Sequence, residues 1–291
     1  MKRELENNFI SMIVYVDEID NLVEFVKHAN LFGEKYFKSY EIVVLCKNID
    51  ITEEIKSITD DTVITVVKFG QNISKDKALQ AGKALAIGDF IYEFETVNVD
   101  YSIEKLFLIY KQALDKGMDI VELVSKKKTI TTKIRNLIYK KIRGSYSFEN
   151  VIVRIISRRA INRIEMILNK RIYRNIEYAI CGLTSGYIEC ETDANHSKME
   201  KHFDAFFLYS NVLNYFIALS CLVFTIVSSI ITVLIFKGVK LMMLMVLAEI
   251  VFFVFGGALI MIFLNYLKLL MRSNYVTDTQ VYSTIERISK N

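Results

Sequence analysis

No charged residue occurs between Asp204 and Lys237, and Glu249 is the single one between Lys240 and Lys268. At about 1.5 Å per residue, each stretch is long enough to cross a hydrocarbon core of about 30 Å as a helix. Only Lys237-Gly238-Val239-Lys240 joins them, so the pattern predicts a tight antiparallel hairpin with both ends on the same side. About two hundred residues precede the hairpin, the size of one α/β domain with a substantial core. The sequence therefore predicts a globular domain held against a membrane by transmembrane helices over 213–236 and 241–267. A juxtamembrane amphipathic segment over 196–212 leads in, and a cytoplasmic tail over 268–291 follows.

The N-terminal run Met1-Lys2-Arg3-Glu4-Leu5-Glu6 has no apolar stretch of the kind a signal peptide needs. The expected location is a cell inner membrane or plasma membrane, multi-pass, with the globular domain and both termini cytoplasmic. The charges beside the hairpin, Lys198, Lys201, Lys268 and Arg272 inside against Lys237 and Lys240 outside, favour this orientation only mildly. Cys46, Cys181, Cys190 and Cys221 lack metal-type spacing and read as reduced thiols. His28, His196 and His202 are scattered and support neither a metal site nor a Ser-His-Asp triad.

The net charge of +4 conceals an asymmetry: Lys126 to Arg174 holds fifteen Lys or Arg against two acids, a net of +13, leaving −9 for the remainder. Such a cluster attracts polyanions, and the neighbouring hairpin makes anionic lipid, rather than nucleic acid, the expected partner. Within it Ile130, Ile134, Leu137, Ile138 and Ile142 recur at helical spacing, with Lys133, Arg135, Lys140, Lys141 and Arg143 on other faces. This predicts an interfacial helix with cations at the headgroups, or a solvated basic face on a core helix. Residues 126–195 form the basic, membrane-facing half of the domain in this reading.

Residues 1–125 alternate strand-like and helix-like runs. Strands are predicted at Phe9–Val16, Glu41–Leu45, Val63–Lys68, Asp89–Phe94 and Asp119–Val124, with helices at Leu22–Lys38, Asp76–Ala86 and Ile103–Leu114. The alternation predicts an α/β fold with a mainly parallel sheet and helices on both faces. Ligands of such sheets bind at the carboxyl ends of the strands, where Asp17, Cys46-Lys47-Asn48 and Glu95 fall.

The run from Gln71 to Asp89, containing Asn72, Lys75, Ala78-Leu79, Ala81-Gly82, Ala86 and Gly88-Asp89, resembles a signature of family 2 glycosyltransferases of the dolichyl-phosphate mannose synthase and bactoprenol glycosyltransferase type. Weaker echoes lie in order along the chain. They are Glu18, Asn21 and Leu22 after the first strand, Arg154-Ile155-Ile156-Ser157-Arg158-Arg159, Ser197-Lys198, and Arg272-Ser273-Asn274-Tyr275. The resemblance implies a GT-A fold carrying the two-helix anchor, a nucleotide-sugar donor and a polyprenyl phosphate acceptor. Taken with the strand ends and the basic segment, it points to Asp17, Glu18, Lys47 and Lys75 for the nucleotide-sugar, and to Arg135, Lys140, Arg154, Arg158 and Lys198 for the acceptor phosphate or lipid.

Three acidic positions of the family pattern are altered. The nucleotide-contacting acid pair is Cys46-Lys47, the metal-binding acids align with Glu95-Thr96-Val97, and the general base aligns with Ile152. Glu95 is then the one carboxylate for Mg²⁺ or Mn²⁺, which a lone ligand holds weakly. As a loop acid it is expected to add little to stability. An acceptor phosphate is ionised at neutral pH and needs no base. Two functions stay open on the sequence: sugar transfer from a nucleotide-sugar to a polyprenyl phosphate for cell-surface glycan synthesis, and a non-catalytic relative that scaffolds or regulates a membrane polysaccharide-assembly complex. Glu249, deep in the second span, is expected either to pair with Ser228 or Thr225 across the hairpin or to face an oligomer seam or another membrane protein.

Overall fold

The computed structural model describes residues 4–17, 19–47, 51, 64–69, 73–126, 151–167, 174, 178, 181–191, 212–235, 239–274 and 282–288. The chain forms two compact units. The first comprises Met1–Met199 with Asp278–Asn291, and the second Glu200–Thr277.

In the first unit the described elements run β1 (Ile10–Val16), α1 (Leu22–Tyr36), β2 (Tyr40–Lys47), β3 (Ile64–Phe69), α2 (Lys75–Leu85), β4 (Phe90–Phe94), α3 (Ile103–Asp115), β5 (Ile120–Ser125), β6 (Val151–Ser157), α4 (Arg158–Ile167), β7 (Ser185–Cys190) and β8 (Tyr282–Ile288). Eight strands make one sheet in the order β7-β5-β6-β4-β1-β2-β3-β8. β1 pairs in parallel with β2 and β4, β2 with β3, and β5 with β7. β6 lies antiparallel between β4 and β5, and β8 runs antiparallel along β3. The predicted mainly parallel sheet with helices is borne out.

Local sequence explains the arrangement. β1 is the unbroken apolar run ISMIVYV, with only Ser11 polar, and is buried throughout, as a central parallel strand must be. α1 buries Leu22, Phe25, Val26, Ala29, Phe32 and Tyr36 at helical spacing. These side chains meet the even-numbered residues of β1 and β2, Tyr92 and Phe94 of β4, and Leu106, Phe107 and Tyr110 of α3 in one aromatic core. Phe25 meets Phe94 edge-on at 4.9 Å, and Phe32 meets Tyr92 at 5.2 Å. Each such fully buried ring contributes about 1.5–3 kcal/mol.

α2 covers the opposite face, where Gly82 packs against Leu45 so closely that a Cβ would lie 2.6 Å from its methyl. Gly88 is tighter still, because a Cβ there would come 2.6 Å from the backbone nitrogen of Ser11. α2 ends at this contact, where Arg158 donates from Nη2 to Ala86 O at 2.6 Å and from Nε and Nη2 to Gly88 O at 3.0 and 2.7 Å. A cation on helix C-terminal carbonyls is favourable there.

The described residues of the second unit form α5 (Val212–Ile235) and α6 (Val239–Asn274). The helices are antiparallel: Asn214 donates to Asn265, and Cys221 lies against Gly257. Asn214–Leu234 and Met243–Lys268 are long and apolar enough to cross a membrane. Large apolar side chains, Phe224, Leu234, Phe252 and Phe255 among them, point outward from the pair. Glu249 accepts hydrogen bonds from Ser228 at 3.0 Å and Thr232 at 2.6 Å. Thr225 instead donates to Cys221 O within its own helix.

Candidate functional site

Glu93, Glu122 and Arg154 each sit in the middle of a buried strand, where an unpaired charge is prohibitively unfavourable. Register solves the problem. Arg154 of β6 stands opposite Glu93 of β4 on one side and Glu122 of β5 on the other, so the three side chains share the face that α2 covers. Arg154 Nη1 is 2.5 Å from Glu93 Oε1, and Arg154 Nε is 2.6 Å from Glu122 Oε1.

Other elements close over this triad. Lys83 of α2 donates to Tyr178 Oη at 2.7 Å, and Tyr178 donates to Glu93 Oε2 at 2.8 Å. The Tyr178 ring lies under both cations, with Arg154 Cζ at 4.6 Å and Lys83 Nζ at 4.7 Å from its centroid. Arg174 reaches Glu93 Oε1 at 2.5 Å and Asp76 Oδ1 at 3.3 Å. Burial pushes the Glu93 carboxyl upward, but the charges of Arg174, Lys83 and Arg154 outweigh it and hold the group at about 2.

Glu95 carries the cluster to the carboxyl edge of the sheet. Its Oε1 is 3.3 Å from Arg154 Nη1, its Oε2 is 2.9 Å from Lys75 Nζ, and Arg174 Nη2 is 2.9 Å from both oxygens. Lys75 also donates to the backbone carbonyl of Glu95, tying the first residue of α2 to the loop after β4. Burial raises the Glu95 carboxyl, yet Arg174, Lys75 and Arg154 hold it well below the usual carboxylate range. Four cations (Lys75, Lys83, Arg154, Arg174) thus face four carboxylates (Asp76, Glu93, Glu95, Glu122), and the set is neutral.

The residues assigned from the sequence fall into four groups. Lys75, Glu95 and Arg154 come together in the cluster. Asp17, exposed, and Lys47, partly buried, stand at the same edge on the adjacent strands β1 and β2, whose register pairs Val16 with Cys46. Arg158 lies at the other end of β4, on the carbonyls that end α2. Glu18, Arg135, Lys140 and Lys198, with the basic segment around Ile130–Ile142, lie outside the described residues.

Two expectations change. Arg154 has no exposed surface with which to meet a lipid phosphate, and it bonds to three carboxylates. Glu95 is not a solvated loop acid, because three cations hold it. Sequence reasoning passed over Glu93, Glu122, Lys83, Arg174 and Tyr178. The available signal was a lone acid inside each of the apolar runs FIYEF and IVELVS, which has to meet a cation somewhere in the fold.

A divalent cation does not fit this donor set as it stands. A carboxylate offers about four lone-pair positions, and Arg154, Arg174 (to both oxygens) and Lys75 occupy them on Glu95. A dication on Glu95 would also meet these charges at close range, where each like unit-charge pair at about 4 Å is unfavourable by about 4 kcal/mol near a protein surface. Among the described residues no group of three or more His, Cys, Asp or Glu side chains is disposed to hold a metal.

No family model matches the chain, and no curated protein matches it. Solved structures do. Glucosyl-3-phosphoglycerate synthase from Mycobacterium tuberculosis, in complex with Mn²⁺, uridine diphosphate and phosphoglyceric acid, is 13% identical over 68% of this chain and 75% of its own, with a TM-score of 0.51. The same enzyme with Mn²⁺, UDP-glucose and glycerol 3-phosphate gives 15% identity over 69% and 78%, at a TM-score of 0.45. A further mycobacterial protein gives 14% over 67% and 70%, at 0.49. The first of these similarities concerns architecture: the chain has a GT-A-like fold.

Proposed function

We propose that the protein is a membrane-anchored glycosyltransferase that moves a sugar from a nucleotide-sugar to a polyprenyl phosphate at the cytoplasmic leaflet of a cell inner or plasma membrane, for cell-surface glycan synthesis. The observation that carries the reading is the GT-A-like sheet, with Asp17, Lys47, Lys75 and Glu95 at its carboxyl edge, in one chain with two apolar helices of membrane-crossing length. Open parallel sheets bind ligands at that edge. In the proposed reaction an ionised phosphate oxygen of the lipid attacks the anomeric carbon, the bond from that carbon to the diphosphate oxygen breaks, and the nucleoside diphosphate leaves with the electron pair. The aligned general-base position, Ile152, is apolar and buried. An acceptor that is already ionised tolerates that.

The pairing of β8 with β3 supports the anchor's topology. The chain leaves the sheet unit, forms α5 and α6, and returns to add a strand to the same sheet. Two crossings return it to its starting side, in keeping with a cytoplasmic domain and termini. A second reading, a non-catalytic scaffold or regulator of glycan assembly, is favoured by the neutral ion cluster around Glu95 and by the full burial of Cys46 where the resemblance places a nucleotide-contacting acid. The deciding assay incubates membranes carrying the full chain with labelled UDP- and GDP-sugars and a polyprenyl phosphate. Labelled, mild-acid-labile lipid is the expected product. Its absence with every donor, in membranes where the chain is folded and its deletion abolishes a surface polymer, gives the scaffold reading precedence.

A further inference from the structure

We propose that Arg174 and Lys75 take the place of the divalent cation at this sheet edge, so that whatever the edge binds, it binds without metal. The identity of the ligand as a nucleoside diphosphate rests on the transferase reading; the replacement of the cation does not. The two side chains converge on one carboxylate from different elements. Arg174 bridges Glu93, Glu95 and Asp76, while Lys75 arrives from the first turn of α2. Together they bring two unit positive charges to Glu95, the charge of one dication. With Arg154 on Oε1, they also leave its oxygens without a free lone pair for a metal that prefers six oxygen ligands.

The pair is built in rather than incidental. Arg174 is almost wholly buried, at 6% side-chain exposure, and lies between Glu93 of β4, Glu95 of the following loop and Asp76 of α2. Lys75 holds both the Glu95 carboxylate and its backbone carbonyl, with Ser74 capping the helix behind it. Of the four cations in the cluster, Lys75 is the most open to solvent, at 26%. It is the one positioned to touch an anion arriving at the edge, assisted by the amide groups of the α2 N-terminus.

The test uses the full-length protein in detergent. Mn²⁺ is followed by its free-ion electron paramagnetic resonance signal, and UDP and GDP are titrated calorimetrically with EDTA or with Mn²⁺. The expected results are an undiminished Mn²⁺ signal with protein in excess, and nucleotide affinity equal within twofold in the two buffers. Lys75→Glu, which removes one cation and places a second carboxylate beside Glu95, is expected to gain Mn²⁺ binding while melting as a folded protein. Signal loss with the wild type that Glu95→Gln abolishes, or nucleotide binding only with Mn²⁺, would overturn the proposal and leave the transferase reading standing. A folded Lys75→Glu protein that gains no Mn²⁺ binding would also count against it. If neither Mn²⁺ nor nucleotide binds the wild type, the transferase reading falls, and the gain of Mn²⁺ binding by Lys75→Glu alone decides the replacement, its absence overturning it.

Discussion

Lys75 Nζ lies 2.9 Å from Glu95 Oε2, joining the first residue of α2 to the loop that follows β4. This link places the most solvent-accessible cation of a buried ion cluster at the carboxyl end of the parallel strands, the end at which such sheets hold their ligands.

The centre of the cluster is expected to be indispensable to folding. Arg154→Leu leaves Glu93 and Glu122, which flank β6 on either side, without their shared cation. Breaking a buried pair in this way destabilises by about 3–5 kcal/mol. Thermal melts in detergent should show a large drop or no folded protein. A melt within a degree of the wild type would mean that the carboxylates find other partners.

Glu95→Ala should also destabilise, by about 1–3 kcal/mol, because Arg174 and Lys75 lose a hydrogen-bonded acceptor. Loss of activity in this variant would therefore not identify a metal ligand. Comparing its melting temperature with that of Glu95→Gln, which keeps an acceptor oxygen, separates charge from hydrogen bonding.

The acid response follows from the same groups. Glu93 sits at about 2 and Glu95 well below the usual carboxylate range, against an ordinary value of 4.5. A carboxyl depressed on folding stabilises fully above its unfolded value, and that stability is lost as pH falls toward the folded one. The melting temperature should decline progressively below about pH 4.5, and the decline should be shallower in Glu93→Gln. An equally steep decline in the variant would place the acid sensitivity elsewhere.

β8 covers an edge that would otherwise expose the backbone of β3, with Lys68 paired to Glu286 at 3.0 Å. Replacing both Ile285 and Glu286 by proline removes a ladder donor whichever of the two N–H groups faces β3. Faster hydrogen exchange in 64–69 and increased aggregation are the expected outcome, and unchanged exchange would mean that β3 does not depend on β8.

The anchor is expected to resist carbonate and high-salt extraction. Replacing 205–277 by a flexible linker should release a folded soluble protein or leave only salt-sensitive binding. Truncation after residue 204 would confuse the test by removing β8 as well. Extraction of the intact chain by salt alone would remove the membrane from the account.

The five predicted strands and three predicted helices of the first 125 residues reappear within a few positions, because β1, β2 and β4 are apolar runs and α1 and α3 carry regular apolar stripes. β6 is harder to read: it is antiparallel within a mainly parallel sheet, and only register sets Arg154, expected at the acceptor phosphate, against Glu93 and Glu122. β8 follows the hairpin, and nothing local in YSTIERI names β3 as its partner. The position of Glu95 at a strand end was legible from alternation alone. Its neutralisation was not, since Lys75, Arg154 and Arg174 come from three separate segments and only the folded chain assembles them.

Photolabelling with 5-azido-UDP-glucose and 8-azido-GDP-mannose, followed by peptide mapping, tests most directly that the carboxyl edge holds a nucleotide-sugar. At least one probe should label the peptides containing Asp17, Lys47 or Lys75, in EDTA as well as in Mn²⁺, and unlabelled nucleotide should compete. Labelling confined to other peptides, or none above a heat-denatured control with either probe, would contradict the account.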